Sequence, residues 1–71
     1  MNPDTIEDLR RLCARFGYHA LSGFVGVSPA TIRFAIMSGA LPARAVPRER
    51  IVRFVEANRA VTNRADLRPA A

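Results

Sequence analysis

The 71-residue sequence has one cysteine, Cys13, one histidine, His19, and no tryptophan. A lone cysteine excludes an intrachain disulfide, and Cys13 with His19 cannot complete the tetrahedral ligand set of a structural zinc site. Lysine is absent, so all 11 basic residues are arginines. That bias is first compositional, of the kind a GC-rich genome produces, but it also supplies planar forks suited to phosphate and guanine. Acids number only 6, leaving a formal charge of +5 and a sequence pI near 11.4, a balance that points to polyanionic partners. No apolar run approaches the roughly 18 residues of a membrane span. The start, "MNPDTIEDLRR", carries acids where a signal peptide carries bases, so the expected setting is cytoplasmic. There is no glycine-rich phosphate loop, Glu7 and Asp8 read as first-turn acids, and Ser22, Ser28 and Ser38 have no base in sequence context. The expectation is therefore no catalytic site, no metal, no cofactor, and no small-molecule substrate.

A chain this short forms one domain, which buries only about 60% of the surface its unfolded form exposes. With disulfide and metal excluded, a partner subunit is the expected added source of stability. No segment alternates with the period of two that marks a half-buried strand; the apolar patterns are helical. In "TIEDLRRLCARFG", Ile6, Leu9, Leu12, Cys13 and Phe16 recur at helical spacing, predicting a helix from Thr5 to Phe16 that Gly17 ends. Thr5 and Asp8 approximate a capping box, and Cys13, on the apolar stripe, reads as a small buried hydrophobe. "YHALSGFVG" predicts two turns ending at Gly26. Ser28 and Pro29 then supply a cap and a first-turn proline for a third helix that runs to about Ser38 and stops at Gly39. After the broken stretch "GALPARAVP", Pro47 is expected to open a fourth helix. Thr62 is expected to cap a last turn over "NRADL", with the tail from about residue 68 open to disorder. The expected fold class is all-α, a small bundle of four to five short helices.

Two short helices around a glycine, spanning about residues 18–38, have the spacing of a helix-turn-helix. Leu21 and Val25 should face inward, Ser22 should let the second helix pack closely, and Gly26 should take a positive φ. Val27 should fill the space beneath the turn, with Ile32 and Ala35 anchoring the second helix. At about 100° per residue Ile36 shares their side. The opposite side carries Ala30, Arg33, Phe34 and Met37, with Ser28, Pro29 and Thr31 at its N-terminal end. In a major groove, Ser28, Pro29, Ala30, Arg33 and Phe34 would read bases: Arg33 forked onto guanine, Ala30 and Phe34 against thymine methyl groups. Tyr18, His19, Thr31, Arg44 and Arg48 are the candidate phosphate contacts; Arg48, a cation in a first helical turn, suits an approaching anion. The plainer alternatives are a solvated Arg33 and solvated loop arginines. Met37 is expected to be covered, by a dimer partner or by the 40–46 loop, and Phe34 is open between cover and groove. In the fourth helix Ile51, Val52, Phe54 and Val55 span an arc of about 160°, wide enough for two surfaces. Ile51, Phe54 and Val55 are accordingly the candidate dimer interface.

The C-terminal half, "LPARAVPRERIVRFVEANRAVTNRADLRP", resembles the close of the Cro-type phage repressors and YdaS-like antitoxins. The matching positions are Gly39, Pro42, Val46 and Pro47 at a helix start, Glu56, and a terminal run of Val61, Thr62, Leu67, Arg68 and Pro69. The resemblance covers about residues 20 to 69. It implies a lambda-repressor-like domain of five helices, acting as a homodimer on a palindromic operator in prophage or plasmid control regions of a bacterial cell. The expected function is thus a sequence-specific double-stranded DNA-binding regulator, a Cro-like repressor. Its rival is a phage or mobile-element inhibitor or antiactivator that keeps the scaffold but offers Phe34 and Met37 to a protein groove.

Overall fold

Three glycines of positive φ divide the chain into its helices. The computed structural model describes residues 4–61 and 63–70, and among them four α-helices follow in order. These are α1 (Asp4–Phe16), α2 (Tyr18–Val25), α3 (Pro29–Ser38) and α4 (Ala45–Ala57), with a 3-10 turn at Arg64–Asp66 and no strand. Gly26, at φ 82°, ends α2 and donates its N–H to the Ser22 carbonyl at 2.9 Å. That left-handed geometry costs an L-residue roughly 1–2 kcal/mol, so glycine belongs there. Across this break the axes of α2 and α3 bend by 109°. Gly39, at φ 72°, closes α3 in the same manner.

The helices close around one apolar centre. Leu9 and Leu12 from α1, Leu21 from α2, Ile32 from α3 and Ile51 and Phe54 from α4 are all fully buried there. The particle measures 30 × 20 × 18 Å, so no residue is far from that core. Cys13 is buried on α1 as its stripe position predicted, and burial raises its thiol pKa. No single helix among the described residues is long and apolar enough to cross a membrane.

The starts of α1 and α4 depart from expectation. Helix α1 begins at Asp4, which puts Thr5 inside the first turn and buried, so Thr5 does not cap. Asp8 instead faces Arg59 at 3.4 Å and Arg11 at 3.9 Å. Helix α4 begins at Ala45, two residues ahead of Pro47. Proline is tolerated at Pro47 because a first-turn N–H has no intrahelical acceptor to lose. Thr62, the expected cap, lies outside the described residues.

The tail is tied down. Asn58, fully buried at the end of α4, donates from Nδ2 to the carbonyls of Phe54 (2.8 Å) and Arg68 (2.9 Å). Its Oδ1 accepts the Arg68 N–H at 2.8 Å, and the Ala70 N–H reaches the Phe24 carbonyl at 3.0 Å. These bonds seat Leu67 in the core.

Candidate nucleic-acid interface

Helix α3 divides cleanly into two sides. Ser28 caps it, accepting the Thr31 N–H at 3.2 Å and sharing a hydroxyl bond with Thr31 at 2.9 Å. Ile32 and Ala35 are fully buried, with Ile36 packed against the core beside them. On the other side Ala30 and Arg33 are exposed, Phe34 is 72% exposed and Met37 is 71% exposed. Met37 is therefore not covered by the 40–46 loop, one of the two covers expected for it. The loop sends Leu41 down onto the core instead, and so does not close over α3.

A groove of about 480 Å³ runs beside this outward side, walled by Ala30, Thr31 and Phe34 on α3 and by Pro42, Ala43, Arg44 and Pro47 opposite. Base-facing candidates Ala30 and Phe34 thus share a trough with phosphate candidates Thr31 and Arg44. Ser28 is exposed and Pro29 half-buried at the head of the helix. Arg48 is not brought into this trough. It lines a separate groove of about 790 Å³ between the loop and the flank of α4. Tyr18 and His19 are exposed at the start of α2, where Gly17 offers no side-chain cap and the first turn holds no acid. The first turns of α3 and α4 also lack an acid, so no negative side chain offsets the positive end of either dipole.

The arginines separate by what they touch. Arg11 donates to the Arg59 carbonyl at 2.6 Å, Arg53 pairs with Glu49 at 3.8 Å, and Arg59 pairs with Asp8. Arg10, from α1, donates to the Ile36 carbonyl near the end of α3 at 2.9 Å. Arg50, from α4, donates to the Gly26 carbonyl in the preceding turn at 2.7 Å. These last two grip α3 at its end and at the turn that leads into it. By contrast Arg33, Arg44 and Arg48 make no ion pair or side-chain hydrogen bond among the described residues. Unpaired guanidinium groups keep their full capacity for an external anion.

Ile51, Phe54 and Val55 are corrected as a dimer interface, because each is fully buried inside the chain. The wide apolar arc of α4 does serve two surfaces, but these are α1 and α2 of the same chain. Sequence reading also passed over Arg10, Arg50 and Asn58. The two arginines hold backbone carbonyls 26 and 24 residues away, a partnership without local signature. Asn58 did carry one: it sits seven residues after Ile51 and four after Phe54, a polar residue on the core stripe of α4.

The chain matches no known protein family, no curated protein and no solved structure.

Proposed function

We propose that α2 and α3 form a helix-turn-helix and that the chain is a sequence-specific double-stranded DNA-binding regulator of the Cro-like repressor kind, working as a homodimer on a palindromic operator. One observation carries the reading: the outward side of α3 presents Arg33 and Phe34 together, both exposed and Arg33 unpaired among the described residues, on a helix set at 109° to α2. Helix pairs of this motif cross at about 90–120° around a short glycine-bearing turn. Arg33 supplies a bidentate donor for guanine, and Ala30 and Phe34 supply apolar contact for thymine methyl groups. Arg44 flanks them, with Thr31, Tyr18 and His19 as further phosphate donors; Arg48, across the loop, is left out of this set.

The test selects binders from a random duplex pool and compares matched with scrambled duplexes by fluorescence anisotropy. A regulator of this kind prefers its selected site by about a thousandfold or more. Equal affinity for both duplexes sinks the reading. A second reading, a protein-binding module, draws on the exposure of Phe34 and Met37 side by side, an apolar pair that would seat in a protein groove. Tight binding to a protein partner that survives high salt, with no duplex selected, would favour it.

A further inference from the structure

With Ile51, Phe54 and Val55 inside the core, the dimer needs another surface, and the flank of α4 has the features of one. The groove of about 790 Å³ has an apolar floor that includes Leu41, Pro42 and the half-buried Val52. Arg48 and Glu56 stand on its rim, one on either side of Val52. They are four residues before and four residues after it, so one stripe of the helix carries a cation, an apolar centre and an anion over about 12 Å. Both charges are exposed, and neither makes an ion pair or side-chain hydrogen bond among the described residues. The neighbouring Glu49 and Arg53 already pair with each other.

We propose that this flank of α4 binds a second copy of the same chain across a two-fold axis at Val52. The rotation lays Arg48 of each copy against Glu56 of the other, giving two equivalent ion pairs around a Val52–Val52 contact. A stripe with opposite charges at equal distances from its centre is complementary to its own reverse, which is what an isologous interface requires. The proposal rests on the dimeric part of the function above and not on its DNA part. It also gives a role to Arg48, which does not line the α3 trough.

Charge exchange tests it. Wild type, R48E and E56R are each compared by sedimentation equilibrium across a concentration series, with circular dichroism confirming the helices. In R48E two acids face each other twice, and in E56R two arginines do, so each variant should self-associate at least about tenfold more weakly than wild type. Mixed in equal amounts, the two variants present complementary rims, and dimer should return. A wild type that stays monomeric overturns both the surface and the dimeric part of the function. A wild type that dimerises while both single variants dimerise equally well, or a mixture that remains monomeric, overturns the surface alone. Duplex binding is read separately and bears only on the DNA part.

Discussion

Arg33 and Cys13 illustrate opposite fates for a reactive side chain. Arg33 is exposed, without a partner among the described residues, and surrounded by apolar neighbours on the outward side of α3. As a base reader it should make a contact worth about 1–3 kcal/mol, so Arg33→Ala should lower affinity for the selected duplex by that amount while sparing scrambled DNA. Anisotropy titrations that show equal loss on both duplexes would reassign Arg33 to the phosphates. Cys13 is sealed against α1's neighbours, and desolvation of the thiolate raises its pKa. Below the ordinary thiol range, near pH 8.5, the thiol is neutral in folded and unfolded chains alike and costs nothing. As pH climbs past that range the unfolded thiol ionises first, so folding stability falls until the raised pKa is reached. Melting curves from pH 7 to pH 10 should therefore decline more steeply for wild type than for Cys13→Ala; parallel declines would place the alkaline sensitivity elsewhere.

The first three helices were largely legible because each has both a stripe and a stop. Gly17, Gly26 and Gly39 end α1, α2 and α3 where the sequence places them, and all three adopt positive φ. The start of α4 was less legible, since a proline fits several first-turn positions equally well. Which neighbour an apolar arc meets was not legible at all. Periodicity marks Ile51, Phe54 and Val55 as buried but is silent on whether the cover is α1 and α2 or a second chain. That the loop would leave Met37 uncovered was illegible for a related reason, because the loop's choice of Leu41 as its anchor is made in three dimensions. The hold of Arg50 on the Gly26 carbonyl belongs to this scale. If it fixes the angle at which α3 leaves α2, Arg50→Ala should cost selectivity for the selected duplex over scrambled DNA by about tenfold, the effect of one charge-assisted hydrogen bond. Arg50→Lys should restore part of it. A selectivity ratio unchanged in Arg50→Ala would mean that the α2–α3 packing alone sets the angle.

The whole molecule carries a charge of +5 on a particle only 30 Å long. Several of its cations are committed to internal carbonyls and acids, so the number available to a duplex is smaller than the composition suggests. A dimer in which Arg44 of each copy neutralises one phosphate should lose affinity as salt rises, with a log–log slope of roughly −2 on B-DNA. Titrations between about 50 and 200 mM salt would measure it, and a flat profile would turn the reading toward an apolar protein partner. If the flank of α4 is the seam between copies, the two α3 helices should address half-sites about 10 base pairs apart, centre to centre.

The stitch between Asn58 and Arg68 has its own consequence. The closing residues work as a hem: an amide at the far end of α4 and a carbonyl on α2 are both finished by backbone from the last stretch of chain. A version trimmed ahead of Leu67 would bare an apolar seam and two unanswered polar groups, so the shortest unit that can fold as drawn reaches nearly to the final residue.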